Sequence, residues 1–417
     1  MFFSNISIRN FKNINNMDIE FHDGINLLIG DNGYGKTAIL EALTIALCGF
    51  FSNISGITKK GIAANQVRCH AGVYGDATPK IEYFCPTTID GNIQIGADTY
   101  QCSAMRSDQT GSSRTRFHSC ELAKYASCLA SDMKANLPVF CYYSTQRLFP
   151  SRREDFGKES RNKLTNNLCG YIGCLDSTLD VKALKAWCMK MEMIGYKQRK
   201  QVSEYENFQR TVSKFMEAVS VPNSHPCVGY SLEYKDIAYT ENGTTLPISF
   251  LSAGYQSLLL IIMNLSFRIA QLNPEISDQT DAEGIVLIDE IDMHLHPKWQ
   301  RKALNILGKL FPKIQFIATT HSPIVISSAK DIRLVCVDEN QEITYPENAF
   351  AYSANDTLEF VQGCSSIPEE LAELYKNFDN ALNDEKYDEA RRIKDRMAEL
   401  FGNDNSLVRQ AEFELDI

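Results

Sequence analysis

The thirteen cysteines of this 417-residue chain include no C-x-x-C pair, so neither a zinc ribbon nor a redox dithiol is indicated. Cys69-His70 is a lone neighbour pair, and Cys169 and Cys174 read as two buried thiols. Long apolar runs are missing too. The longest, Leu258–Met263, is far short of the ~20 residues a bilayer span needs, and no signal-peptide core precedes the first charge at Arg9. A cytoplasmic protein with no membrane contact is expected. Positive charge is in deficit: 42 Lys and Arg against 52 Asp and Glu leave a net charge of −10 and a pI near 5.3. Composition therefore imposes no broad nucleic-acid-binding face, although a local basic cleft is compatible with it. Sustained heptads are absent, which excludes a long coiled coil. What remains is an ordinary folded composition, 44% hydrophobic and 23% charged, with length for two or three domain-sized units.

The residues that are present organise around Gly30-Asp31-Asn32-Gly33-Tyr34-Gly35-Lys36-Thr37, which fits G-x-x-x-x-G-K-[ST]. The apolar run Ile25–Ile29 supplies a strand before it and Thr37 to about Cys48 a helix after it. Glycines let successive backbone N–H groups converge on phosphates, Lys36 adds a point charge, and the Thr37 hydroxyl suits Mg²⁺. Before the loop, Ile6–Phe11 and Met17–Phe21 alternate as strands, with Arg9 and Asn10 fitting a place beside a base or ribose and a solvated strand end equally. After the helix, Gly-, Ser- and Thr-rich sequence up to Ser119 reads as antiparallel strands with loops. Within it Met105–Arg116, with Arg106, Arg114 and Arg116, fits an exposed loop or an arm on a polyanion.

Leu137–Tyr143 then gives a buried-looking strand, and Gln146 just past it is either a ligand of metal-bound water or an ordinary loop amide. Apolar positions at helical spacing from Val181 to Val219 specify two helices. Tyr230–Tyr239 reads as a strand and Asn242-Gly243 as a hairpin turn. Leu251-Ser252-Ala253-Gly254 opens an apolar helix, an arrangement that serves an anion or simply caps. Gly284–Ile288 is a fully apolar strand ending in Asp289 and Glu290, placed to hold Mg²⁺ through water and to polarise an attacking water. Ile314–Thr319 repeats that design and delivers His321.

In this order the motifs resemble the ABC-type ATPase head of the SMC, RecF and overcoming-lysogenisation-defect (OLD) group, from Met1 to about Cys336. The resemblance implies an α/β fold: a mixed sheet with flanking helices and an antiparallel β subdomain, an inserted helical lobe and a C-terminal helical pair. It implies an ATPase with ATP and Mg²⁺ as cofactors. Asn32, Gly33, Gly35, Lys36, Thr37 and Ala38 would cradle the nucleotide, and Thr37, Gln146 and Asp289 would serve the metal. Glu290 would be the catalytic base and His321 the switch histidine. Ser252 and Gly254 would reach the γ-phosphate across a homodimer of ATP-sandwiched heads. The expected segments are 1–150 and 226–350 for the two parts of the head, 151–225 for the helical lobe and 351–417 for a C-terminal oligomerisation or partner-binding region.

Departures narrow the group. No zinc hook or long rod lies between Gln146 and Leu251, and nothing after His321 offers the Glu and D-x-D set of a Toprim nuclease. The tail, with Leu371, Leu374, Tyr375 and Phe378 on one helical face and Ala390, Ile393, Met397 and Leu400 on the next, also fits a plain dimerisation element. Together with Gly170–Leu179, Trp187 and Glu290–Pro297 it is similar to the compact anti-phage ATPases, the PtuA type of Septu systems and some retrons, with the AriA type of PARIS systems near them. That likeness implies a slow ATPase acting as sensor or scaffold, in higher homo-oligomers, for a separately encoded HNH or Toprim nuclease. The alternative is a RecF-like repair ATPase that binds DNA when ATP is bound. His294, His296 and the Arg152-Arg153 pair fit a partner surface and solvated positions equally.

Overall fold

The computed structural model describes residues 1–73, 79–132, 134–147, 166–200, 202–220, 224–328, 330–346, 349–363 and 367–415. Arg152 and Arg153 lie outside them. Four short runs carry mostly apolar side chains: Ile25–Ile29 (β3), Val139–Tyr143 (β9), Gly284–Ile288 (β13) and Ile314–Thr319 (β14), with every residue buried. Having no polar face to offer water, such runs belong inside a parallel sheet. They pair in the order β3-β14-β13-β9, all parallel, and Ile332–Val337 (β15) with the antiparallel edge Ile343–Thr344 (β16) completes six strands. Strands from 1–150 and from 226–350 thus interleave in one sheet.

Alternating runs build the other sheets. Phe2–Phe11 (β1), Ile14–Glu20 (β2), Thr87–Ile95 (β6), Asp98–Arg106 (β7) and Arg116–Phe117 (β8) form an antiparallel sheet in the order β2-β1-β6-β7-β8, while Cys69–Val73 (β4) pairs with Pro79–Tyr83 (β5). Lys36–Leu47 (α1) contacts β1, β6 and β7 on one side and β14 on the other, which is why nearly all of its residues are buried. Cys120–Ser131 (α2) covers β7. Arg106 is not part of an exposed loop: its buried guanidinium donates to the Asp108, Ile62 and Thr110 carbonyls and pins the turn, while Arg114 and Arg116 are exposed.

Val181–Gln198 (α3) and Ser203–Val219 (α4) are the two expected helices, and Trp187 packs edge-on against Phe208 at 5.2 Å and Phe267 at 5.3 Å. Phe267 belongs to Ala253–Leu272 (α5), which extends the Leu258–Met263 run well beyond its apolar centre. Among the described residues it alone has the length and mean hydropathy, 1.2, of a membrane span, but 83% of that window is buried inside the protein. Its neighbours are α4, β9 and the 166–171 turn, so it is a core helix.

The stretch Tyr230–Tyr239 is not one strand. Cys227–Ser231 (β10) and Asp236–Glu241 (β11) pair antiparallel around a turn in which Leu232 is exposed and Lys235 takes φ 51°. Asn242 and Gly243, at φ 51° and 78°, then turn β11 into Thr244–Pro247 (β12); two successive left-handed residues are what a two-residue hairpin of right-twisted strands requires. Ala303–Leu310 (α6) and Pro323–Ser328 (α7) flank β14 in sequence.

By its internal contacts the chain divides into Met1–Ala351 and Tyr352–Ile417. The second unit has its own core of Leu371, Phe378, Ala381, Ala390, Met397, Val408 and Ala411. The expected helical pair is present as Glu369–Asn383 (α8) and Tyr387–Phe401 (α9), and a third helix, Ser406–Leu415 (α10), adds Val408 and Ala411 to the same core. Gly402, at φ 85°, ends α9, and the Asn405 side chain accepts the Leu407 N–H at 2.9 Å to start α10.

Candidate nucleotide site

The carboxyl ends of β3, β13 and β14 lie side by side, so the segments that leave them meet in one cleft of about 280 Å³. It is lined by Asn32, Gly33, Gly35, Lys36, Thr37, Ala38, Asp289, Glu290 and His321, together with Lys12, Asn13 and Thr319. Two larger clefts, of about 580 and 520 Å³, lie elsewhere. The second of these also carries an ammonium and carboxylates, Lys313 with Glu275, Asp281 and Glu283, but neither is lined by the glycine loop and its helix start, so the chemistry and not the volume identifies the site.

Gly35 caps α1 at φ 103°, a left-handed conformation that brings the loop N–H groups round to the helix N-terminus. Lys36 Nζ donates to the Gly30 carbonyl at 2.7 Å and the Asp31 carbonyl at 2.9 Å. Burial pushes its pKa below the usual lysine value, opposed by the negative fields of Asp289, Asp31 and Glu290. Thr37 Oγ1 lies 3.0 and 3.3 Å from the two Asp289 carboxylate oxygens, and Thr319 Oγ1 donates to Asp289 Oδ1 at 2.7 Å. These are hard oxygen donors of the kind Mg²⁺ takes. Among the described residues no group of three or more His, Cys, Asp or Glu could hold a metal ion.

Glu290 follows directly and adopts φ 47°, a left-handed conformation uncommon for a residue with a Cβ. Three bonds hold its backbone there: its N–H donates to Thr319 Oγ1 at 2.7 Å, and its carbonyl accepts from Arg147 Nη2 at 2.9 Å and from the Met293 N–H at 3.0 Å. Beyond it, the Thr320 hydroxyl donates to the Asp292 carboxylate, and Gln300 Nε2 donates to the Leu295 carbonyl at 3.0 Å. The segment after the carboxylates is therefore fastened to the strand end that carries His321.

Three expected residues are not in this cleft. Gln146 is exposed, and it is the next residue, Arg147, that turns inward with 0% exposure. Arg147 donates to the Asp289 carbonyl at 2.8 Å and to Ser257 Oγ at 2.9 Å, and burial pushes its pKa down to about 10 against the fields of Asp289, Glu290 and Asp292. Ser252 is exposed at the N-cap of α5 without a side-chain capping bond. Gly254 is buried, with room for no side chain: a Cβ would sit 2.7 Å from the His294 carbonyl oxygen. Of the two residues expected beside a base or ribose, Arg9 is exposed and Asn10 Nδ2 donates to the Pro86 carbonyl at 3.0 Å. Lys12 and Asn13 line the cleft instead, Lys12 paired with Glu41 and the Asn13 amide donating to the Gly33 carbonyl. The polar, turn-forming Lys12-Asn13 between two strands was the available signal for them, as Ala318-Thr319-Thr320 beside His321 was for Thr319.

A family model described as an AAA domain matches residues 5–219, and a second AAA-domain model matches residues 194–327. The Retron Vc95 probable ATPase of Vibrio cholerae serotype O1 biovar El Tor is 22% identical over 91% of this chain and 83% of its own length. The Septu protein PtuA of Bacillus thuringiensis is 25% identical over 91% and 89%. Among solved structures, an SMC head bound to the C-terminal winged-helix domain of ScpA matches 83% of this chain and 98% of its own with a TM-score of 0.51 at 14% identity, a likeness of fold. The chain belongs to the AAA-domain family and is an ATPase of the SMC, RecF and OLD-like group, with the retron and Septu ATPases among its relatives.

Proposed function

We propose that this chain is the ATP-binding and ATP-hydrolysing sensor or scaffold subunit of a bacterial anti-phage defence complex and controls a separately encoded effector nuclease of HNH or Toprim type. The observation that carries the catalytic part is the joining of Thr37, Asp289 and Thr319 next to a fixed Glu290 in the cleft of the phosphate-binding loop. Thr37 and Asp289 would hold Mg²⁺, which supplies neutralising charge at the β- and γ-phosphates. Lys36 adds a second positive charge at the same phosphates. Water attacks the γ-phosphorus in line, the bond to the ADP oxygen breaks, and Glu290 takes the proton of the attacking water. His321 would steady the γ-phosphate through its ring.

Ser252 is exposed and away from this cleft, which supports the reading that it serves a nucleotide on a second copy, so that two heads enclose ATP between them. The defence assignment rests on the retron and Septu relatives, which match nearly the whole chain. A cytosolic homo-oligomer follows from that reading.

Pull-down of the tagged chain from its host, followed by mass photometry with and without ATP, tests the assembly. A nuclease that co-purifies in defined stoichiometry supports it, while a nucleotide-dependent dimer that captures DNA and no nuclease would replace it with the repair reading. For the chemistry, Glu290→Gln should keep nucleotide affinity and lower turnover by ~10²-fold or more. Unchanged turnover would remove Glu290 as the base.

A further inference from the structure

Arg147 stands directly behind the catalytic carboxylates. Its side chain has 0% exposure and lines no part of the nucleotide cleft. Burying a guanidinium is costly unless its donors are used. Here Nε donates to Ser257 Oγ at 2.9 Å, Nη1 to the Ser144 carbonyl at 3.3 Å and the Asp289 carbonyl at 2.8 Å, and Nη2 to the Glu290 carbonyl at 2.9 Å. The acceptors come from three places: the β9 exit, the β13 exit and α5. An apolar side chain of similar volume would fill the space but take from the Asp289 carbonyl the donor Arg147 gives it, and leave the Glu290 carbonyl with the Met293 N–H alone.

We infer that Arg147 is a positioning residue for ATP hydrolysis, fixing the aim of Glu290 and tying it to α5 through Ser257. This rests on the reading of Glu290 as the base. The backbone of Glu290 sits in the left-handed region, and a residue with a Cβ stays there when its surroundings hold it. Arg147 holds the carbonyl side of that residue together with the Met293 N–H at 3.0 Å, and Thr319 holds the N–H side. Losing the only side-chain donor on that carbonyl among the described residues loosens the aim of the carboxylate without altering any group that lines the nucleotide cleft. Ser257 lies five residues along from Ser252, about one and a half turns of the same helix, so displacement of the α5 N-terminus is transmitted through a rigid element to Arg147 and from there to Glu290.

The test is steady-state ATPase kinetics and analogue affinity of the full chain carrying Arg147→Gln, Arg147→Lys, Ser257→Ala and Glu290→Gln, and of each of the first three combined with Glu290→Gln. Arg147→Gln should lower kcat by about tenfold or more while KM and affinity for a non-hydrolysable ATP analogue stay within about twofold. Arg147→Lys should recover part of the rate, because the charge remains but the fork that spans two carbonyls does not. Ser257→Ala should give a smaller loss of kcat. In the Glu290→Gln background none of the three should lower the residual rate further, since a residue that acts through Glu290 has nothing left to position.

Equal losses in both backgrounds, a parallel rise in KM, or a wild-type kcat in Arg147→Gln would overturn the inference. If Arg147→Gln does not fold, Arg147→Lys and Ser257→Ala in the two backgrounds decide it on the same criteria. A Glu290→Gln variant that turns over normally removes the base assignment and this inference with it. An inactive Glu290→Gln beside a fully active Arg147→Gln removes this inference alone.

Discussion

Lys36 shows how one side chain reports on the cleft it occupies. In the free protein burial depresses its pKa, and the nearby Asp289, Asp31 and Glu290 recover only part of that. The unfolded chain therefore binds more protons than the folded one between the depressed value and the ordinary lysine value of 10.5, and stability rises with pH across that window as far as this group is concerned. A triphosphate beside Lys36 favours the ammonium form and raises the pKa again. Nucleotide binding in the same window should then be accompanied by proton uptake, and affinity should fall as pH rises through the depressed value. Calorimetry with a non-hydrolysable ATP analogue at alkaline pH, in two buffers of different ionisation enthalpy, measures this directly. The expected result is a buffer-dependent heat that Lys36→Met abolishes; identical heats in both buffers would mean that Lys36 is not where the phosphates bind.

Elements decide what the residues can reach, and the segment from Asp289 to Gln300 packs on the start of α5. The Tyr255 and Trp299 rings meet edge-on at 4.4 Å, and Gly254 approaches the His294 carbonyl too closely for any side chain. Because the obstructing atom is backbone, Gly254→Ala must displace the segment that leads out of Glu290. We expect a loss of about 1–3 kcal/mol, seen as a Tm lowered by a few degrees, together with reduced turnover. Ser252→Ala should leave Tm unchanged, because that exposed hydroxyl makes no capping bond, and should still lower turnover if a second copy supplies the nucleotide it meets. Similar Tm losses in both variants would argue that Ser252 is simply a cap.

Much of this architecture was legible because unbroken apolar runs such as Gly284–Ile288 have no alternative to a parallel sheet, and β1 and β6 alternate. The choice between Gln146 and Arg147 was not legible, because it depends on how the chain turns after β9 and on which backbone carbonyls wait there. The Leu232–Lys235 turn was hidden for a related reason: Leu232-Glu233-Tyr234 keeps the alternation of a strand while pairing ends at Ser231.

At the scale of the whole molecule, charge and core divide in the same place. Residues 352–417 hold 16 acidic and 7 basic side chains, a net of −9, which leaves 36 acidic and 35 basic, a net of −1, for residues 1–351. The unit with the excess negative charge also has a core made from its own three helices. Every residue lining the nucleotide cleft belongs to the other unit. A unit this small buries little apolar surface, so one large core side chain is a sizeable part of its stability. Phe378 is 0% exposed in that core, and Phe378→Ala should cost about 3–5 kcal/mol, enough to unfold most of the unit. Limited proteolysis should then cut within residues 352–415, while a fluorescent ATP analogue still binds residues 1–351 with unchanged affinity. If the C-terminal unit is where oligomer or effector contacts form, the variant should also run as a smaller species and lose its nuclease in the pull-down. Loss of nucleotide affinity along with the unit would show instead that the head depends on these helices for its fold, and the assignment of a separate assembly role to them would fail.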